Sequence, residues 1–135
     1  MTIEEALTAR LAGSRDFAPM LAEHGGWSLR LINVPGLTLR IISDARPQHY
    51  KGFQSLRSTI VQADIWAERA DTCAGCRDRL IAFLVPAAVI GSVRFQRADV
   101  TGVRSGTDFD RTADPSSYRD ALARASIDFL FLHNA

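Results

Sequence analysis

The chain has 135 residues, of which 47% are hydrophobic and 23% are charged, and its formal net charge is +1. These values predict one globular domain that is long enough to bury a core. Its sixteen basic and fifteen acidic residues form no long block of either sign, which argues against a dedicated nucleic-acid surface with a basic stripe.

Two helical segments are predicted before the first strand. Thr2 precedes Glu4 and Glu5 and can cap a helix, and apolar residues follow at helical spacing, so a helix is expected over residues 3–11. Residues 16–23 predict a second short helical turn, closed by two consecutive glycines.

Alternating residues then predict a series of strands. The first two are expected at 27–33 and 37–43, with the Pro35-Gly36 turn signal between them. The polar segment 44–55 is interpreted as a long hairpin connection that projects from the body. It leads to a long strand at 56–67, which is the expected sheet neighbour of 37–43.

The long strand has two different sides, and a helix follows it directly. The side expected to pack against helices carries Val61, Ala63, Ile65 and Ala67. The opposite side carries Gln62, Asp64 and Trp66, and it is a candidate surface for a neighbouring subunit. Residues 68–84 predict a helix with an apolar stripe, which Pro86 ends.

The C-terminal third is predicted to contain two strands and a loop. Residues 92–100 alternate as a strand, and the polar, glycine-bearing segment 102–117 is interpreted as a mobile loop. Asp114 followed by proline can also start a short helix to about residue 123. Residues 125–133 predict a central strand that is buried on both sides.

This order predicts an α+β fold. We expect a two-layer sandwich with a mainly antiparallel sheet of four to five strands and two helices on one face. One domain spans the whole chain. The N-terminus shows no secretory pattern, and the longest apolar run, residues 80–91, is too short to span a bilayer, so a cytoplasmic protein with reduced cysteines is expected.

Candidate chemistry is limited to Cys73-Ala74-Gly75-Cys76. The spacing suits a redox motif at a helix N-terminus. However, the preceding Ala70-Asp71-Thr72 lacks the aromatic lead of thioredoxin-like sites, and both cysteines fall on one helix face, which favours small core residues. Two cysteines cannot form a structural zinc site, and no catalytic triad or phosphate loop is visible.

Several motifs together resemble the tail completion (tail terminator) proteins of long-tailed phages and gene transfer agents. They are the N-terminal Thr2-Ile3-Glu4-Glu5-Ala6-Leu7, the loop His49-Tyr50-Lys51-Gly52, the strand Val61-Gln62-Ala63-Asp64-Ile65-Trp66-Ala67 and the ending Asp128-Phe129-Leu130-Phe131. The Gln-x-Asp-x-Trp spacing is the most specific of these.

The resemblance implies a structural protein without catalysis or cofactor. It implies a homo-oligomeric ring, usually hexameric, that caps the tail tube protein and meets the head-side connector or stopper protein. DNA is only passing cargo, and no membrane is involved. Assembly would occur in the host cytoplasm, and the mature location would be the tail or neck of a phage-like particle.

A closed ring needs a heterologous interface, so each subunit must offer two different patches. The candidates are the two long polar segments, 44–55 and 102–117, since long loops in compact domains are usually functional or disordered. The basic residues Arg46, Lys51 and Arg104 of one subunit are expected to meet Asp108 and Asp110 of the next. The interface hypothesis covers Arg46, His49, Tyr50, Lys51, Phe53, Trp66, Arg104, Asp108, Phe109 and Asp110. The alternatives are another neck component, a stopper or adaptor, or a small redox or ligand-binding enzyme built on Cys73 and Cys76.

Overall fold

The computed structural model describes most of the chain and forms three helices and eight strands there. The described residues are 1–21, 27, 36–46, 48–49, 52–53, 56–109 and 121–135, with the backbone alone at 48–49, 52–53, 108–109 and 121. The elements are α1 (Ile3–Ala12), α2 (Ala18–Leu21), β1 (Gly36–Ala45), β2 (Gln48–His49), β3 (Gly52–Phe53), β4 (Arg57–Ala67), α3 (Ala70–Leu84), β5 (Ala88–Ile90), β6 (Val93–Phe95), β7 (Asp99–Phe109) and β8 (Ala121–His133).

The sheet confirms the predicted α+β fold. Its strand order is β1-β4-β8-β6-β5, β7 also pairs with β8, and all of these pairings are antiparallel. The predicted neighbours β1 and β4 are paired, and β8 is central. The sheet has six strands, more than the four to five expected, because the predicted strand 92–100 divides at residues 96–98 and β5 adds a hairpin to β6.

The N-terminal predictions are confirmed within the described residues. Thr2 and Glu5 form a reciprocal capping box: Thr2 Oγ1 accepts from the Glu5 N–H at 3.1 Å, and the Glu5 carboxylate accepts from the Thr2 N–H at 2.9 Å. Of the predicted strand 27–33, Trp27 forms an isolated parallel bridge to Leu39, and residues 28–33 lie outside the described part of the chain.

The loop predicted at 102–117 is wrong over 102–109, where the chain forms β7. Although it contains two glycines, this stretch pairs with β8 from Gly102↔Asp128 to Phe109↔Ala121. The helix proposed up to residue 123 is also wrong over 121–123, which belong to β8. Such pairing depends on residues distant in sequence, so local composition cannot reveal it.

The two sides of the sheet differ in burial. One cluster of buried side chains joins α1 and α3 to the side of β4 that carries Val61, Ala63 and Ile65; we call this the core side. On β8, Phe129 and Phe131 are 0% exposed on the core side, whereas their neighbours on the other side are only half-buried. The prediction that β8 is buried on both sides is therefore wrong at residues 128, 130 and 132 of its second side, whereas Ser126 on that side is buried.

Arg10 ties α1 to the end of α3. Its Nη2 donates to the Phe83 carbonyl at 3.0 Å and to the Pro86 carbonyl at 2.7 Å. The guanidinium also lies 5.7 Å from the Phe83 ring centroid and 5.6 Å from that of Phe95. Burial lowers the pKa of Arg10, and a cation at the C-terminal end of a helix is favoured by the helix dipole.

Candidate assembly surfaces

The strand register separates the two segments that the sequence singles out. Ala45 pairs with Ser58, and Arg57 pairs with His133; we call this the His133 end of the sheet. At the opposite end, the Trp66 end, Gly36 pairs with Trp66 and Phe109 pairs with Ala121. From Ala121 to His133 along β8, the two ends are about 40 Å apart at roughly 3.3 Å per residue.

The connection after β1 lies at the His133 end. Within it β2 and β3 pair antiparallel, with His49 opposite Gly52 and Gln48 opposite Phe53, which confirms a hairpin in this segment. Tyr50 and Lys51 lie outside the described residues. Arg46, His49 and Phe53 are therefore brought to one end of the sheet.

A hydrogen-bonded cluster anchors the base of this hairpin. Asp44 accepts two hydrogen bonds from exposed Arg46, at 3.0 and 3.1 Å, and one from the Thr59 hydroxyl at 3.0 Å. The Thr59 hydroxyl also lies 2.7 Å from Nε2 of His133. Because the Ala135 N–H donates to Nδ1 of His133 at 3.1 Å, we assign the proton of the neutral ring to Nε2, which donates to Thr59.

The pKa values of His133 and Asp44 in this cluster are both lowered. Burial lowers the pKa of His133, and the positive charge of nearby Arg57 lowers it further. Burial alone would raise the pKa of Asp44, but the hydrogen bonds from Arg46 and Thr59 outweigh it, so the pKa of Asp44 is lowered. A neutral histidine and an ionised aspartate therefore hold this end together near neutral pH.

The second side of the sheet carries a polar network centred on Asp64; we call it the polar side. Asp64 Oδ1 accepts from Gln62 Nε2 at 3.1 Å, from Arg124 Nη2 at 3.4 Å and from the Ser126 hydroxyl. Gln62 in turn accepts from Arg40 Nη2 at 2.8 Å. The network links β1, β4 and β8 across the sheet, so it fixes side-chain positions that would otherwise be mobile.

Trp66 lies within this polar side and is only 7% exposed. The Arg124 guanidinium sits 5.6 Å from its ring centroid, which is a cation–π distance. The ring is thus buried within its own subunit. Its role at a subunit interface stays a prediction.

Arg104 pairs inside its own subunit. Its guanidinium donates to both carboxylate oxygens of Asp128, at 2.9 and 3.1 Å, in a bidentate pair that raises the pKa of Arg104. Asp108 and Phe109 end β7 at the Trp66 end, and Asp110 lies outside the described residues. Within one subunit, Arg46 and Asp108 therefore lie at opposite ends of the sheet. A contact between Arg46 of one subunit and Asp108 of the next remains a prediction.

Sequence reasoning singled out Gln62, Asp64 and Trp66 but missed their partners on β8. Arg124 and Ser126 were absent from the predicted interface. The available signal was the alternation of polar residues with buried ones along β8, which places Arg124, Ser126 and Asp128 on one side of the strand.

The two cysteines are core residues of α3. Cys73 is 3% exposed and its thiol donates to the Ile65 carbonyl at 3.6 Å; Cys76 is 4% exposed and accepts from Arg79 at 3.3 Å. Burial raises the pKa of Cys73, which disfavours the thiolate that redox chemistry requires. No group of His, Cys, Asp or Glu in the described part of the chain could hold a metal ion.

Comparison with known proteins gives no family assignment: no family model matches the chain, and no curated protein matches it. Across the described residues, no helix has the length and apolar character needed to cross a bilayer.

Proposed function

We propose that this chain is a tail terminator: a structural protein that forms a ring on the tail tube, ends tube polymerisation and joins the tail to the head-side connector. The ring is a homo-oligomer, expected to be a hexamer, and DNA passes through it as cargo. Assembly takes place in the host cytoplasm, and the mature ring resides in the tail or neck of the particle. The proposal includes no catalysis and no cofactor.

One observation carries the proposal beyond the sequence resemblance. The pair Ala45↔Ser58, which flanks the first long segment, and the pair Phe109↔Ala121 stand at opposite ends of a single sheet. A subunit that must meet a tube on one side and a connector on the other needs two separated contact surfaces of this kind. The strand β4 that runs directly into α3 also matches the part of the motif with the most specific spacing.

The alternatives receive less support. The stopper and adaptor alternatives imply a small β-barrel or a mostly helical protein, and neither description fits a six-stranded sheet with helices packed on it. The redox alternative needs an accessible, acidic thiol, whereas burial raises the pKa of Cys73.

Replacing both cysteines separates the redox alternative from the terminator. Cys73→Ala combined with Cys76→Ala removes two small buried side chains, so a modest loss of stability, about 1–2 kcal/mol, is expected with capping of tubes unchanged. Tube capping by this variant, counted in electron micrographs, should equal that of the unmodified chain. Complete loss of capping in a folded variant would favour cysteine chemistry.

The hairpin at the His133 end offers a direct test of the contact surface. Tyr50→Ala combined with Phe53→Ala should leave the subunit folded, because β3, which carries Phe53, pairs with β2 in a separate two-stranded sheet, but should remove rings from tube ends. The control is Arg77→Ala with Asp78→Ala, an ion pair of α3 between half-buried Arg77 and exposed Asp78, with 3.0 Å between the charged groups. Light scattering and microscopy showing undiminished rings in the aromatic variant would contradict this assignment.

A further inference from the structure

The β5–β6 hairpin has one face in the core and one face in solvent. Val93 and Phe95 of β6 are both 1% exposed and belong to the core cluster. Because side chains alternate along a strand, Arg94 and its cross-strand partner Val89 project from the opposite face. Val89 is 64% exposed, and Arg94 is exposed as well. The hairpin therefore presents an apolar and a basic side chain next to each other.

A cleft of about 500 Å³ opens on this hairpin; we call it the β5–β6 cleft. Residues 87–89 form one wall, and residues 94–97 form the other. Beyond Phe95 the chain turns to β8, where the Gln96 N–H donates to the Leu132 carbonyl at 2.8 Å. Ala87 and Gln96 are exposed, so the cleft is open to solvent. Its volume falls within the range of roughly 300–1,000 Å³ that is usual for binding sites.

One wall of the cleft is apolar, and apolar surface continues beyond it. Residues 87–89 are two alanines and a valine. The cleft adjoins β8 at Leu132, and both Leu130 and Leu132 are half-buried on the polar side of the sheet. Ile60 of β4, which pairs with Leu130, is half-buried too. Contiguous apolar surface with a polar rim is typical of protein-interaction sites.

The other wall carries two exposed arginines without a carboxylate partner. Arg46 and Arg104 pair with aspartates of their own subunit. By contrast, none of the ion pairs within the described residues involves Arg94 or Arg97. Asp99 is the nearest acidic residue in sequence, so the two arginines still leave this wall with a net positive charge. A guanidinium is complemented best by a carboxylate, which can accept two parallel hydrogen bonds from it.

The cleft lies at the His133 end of the sheet, because Phe95 in its wall pairs with His133. The β2–β3 hairpin, which the proposed function assigns to the tube contact, follows β1 at the same end. A protein that contacts this hairpin is therefore also close to the cleft. An apolar wall facing a basic wall suits a segment that carries both apolar and acidic side chains.

We propose that the β5–β6 cleft binds an extended segment of the tail tube protein that carries apolar and acidic side chains. The apolar side chains of this segment pack against residues 87–89, and its carboxylates pair with Arg94 and Arg97. The inference rests on the proposed function and names the chemistry of its tube contact.

Photo-cross-linking tests the occupant of the cleft. Val89→Cys is labelled with benzophenone maleimide, mixed with tubes polymerised from the cognate tail tube protein and irradiated. The native cysteines are buried, so the label goes to the new thiol. A covalent adduct with the tail tube protein is expected. Covalent dimers of this chain would identify a second copy as the occupant and overturn the proposal.

Thr107→Cys is the matched control for the position of the label. Thr107 is exposed and pairs with Ala123 towards the Trp66 end, so the label lies far from the cleft. This variant should give no adduct with the tail tube protein. Equal adduct yields from the two positions would overturn the proposal.

Charge reversal tests the chemistry of the segment. Arg94→Glu with Arg97→Glu, added to Val89→Cys, should lower the adduct yield about tenfold or more, since like charges would then face each other. Arg94→Lys with Arg97→Lys should retain most of the adduct, because the positive charge remains. Arg15→Glu with Arg69→Glu makes the same change in net charge at two exposed arginines outside the cleft. Equal yields from the two Glu variants would contradict the proposal.

Electron microscopy of the same mixtures separates this inference from the proposed function. Capped tubes without an adduct would overturn the role of the cleft and leave the terminator role standing. An adduct with tubes that remain uncapped and continue to grow would support the cleft contact and overturn the terminator role. Bare tubes without an adduct would overturn both.

Discussion

The core side and the polar side of the sheet are built from the same strands but differ in what they hold together. On the core side, Ile127, Phe129 and Phe131 are 0% exposed and pack in one apolar cluster. On the polar side, Asp64 collects hydrogen bonds from Gln62 and Ser126 and an ion pair from Arg124. The period of two along a strand allows one segment to perform both tasks.

The two sides of the sheet contribute differently: the core side mainly stabilises the fold, and the polar side mainly fixes the positions of its side chains. Apolar burial on the core side contributes most of the folding free energy, because its gain scales with the area removed from water. The polar network contributes less to stability, since its groups exchange hydrogen bonds with water on unfolding. The network holds side chains of β1, β4 and β8 in fixed positions. Substitutions on the core side should therefore lower the free energy of unfolding more than substitutions on the polar side.

The largest loss of stability is expected from a substitution on the core side. Phe129→Ala should lower the free energy of unfolding by about 3–5 kcal/mol, because it opens a cavity at the centre of β8. Leu130→Ala, its half-buried neighbour on the polar side, should cost roughly 1–2 kcal/mol. Urea denaturation followed by circular dichroism measures both values. Equal losses would show that the two sides do not differ as described.

A smaller loss of stability is expected from a substitution at the centre of the polar side. Asp64→Ala leaves the donors of Gln62, Arg124 and Ser126 without their shared acceptor and should cost about 1–3 kcal/mol. Asp78→Ala is the control, because this exposed carboxylate forms a surface ion pair with Arg77, and such pairs contribute about 0–1 kcal/mol. If the two variants unfold at the same urea concentration, the network does not contribute as proposed.

The smallest expected change in stability is the pH dependence caused by His133, a polar residue at the end of the core side. Its pKa is lowered below the ordinary value of 6.5, so on acidification the unfolded chain binds this proton before the folded chain does. Stability should therefore fall as the pH drops below about 6.5, until the folded-state pKa is passed. The lowered pKa of Asp44 acts in a separate window, below the ordinary aspartate value of 3.8.

His133→Gln provides the measurement. Unfolding free energies at pH 7.5 and pH 5.5 should differ for the unmodified chain, and the difference should shrink in the variant, which has no titrating group at this position. A difference of the same size in both proteins would assign the acid sensitivity to other groups.

The parts of the fold that depend on local patterns were predictable from the sequence. The capping box at Thr2 and the alternation along 57–67 each encode their element within a few residues, and both predictions are confirmed. The pairing of β1 with β4 also followed from neighbouring segments.

The parts of the fold that depend on pairing between strands far apart in sequence were not predictable from local patterns. From Thr101 to Thr107, β7 contains two glycines and four polar residues, which locally resemble a loop, and only its ladder with β8 makes it a strand. The same ladder turns Arg104 onto Asp128 of its own subunit, whereas the sequence suggested a partner in a neighbour. An interface between copies involves still more distant residues, and so it remains a proposal.

The most direct test of the central claim is electron microscopy of this protein mixed with tubes polymerised from the cognate tail tube protein. The account predicts rings at tube ends and a stop in tube growth once the protein is added. Bare tube ends, continued growth and protein left free in solution would contradict it.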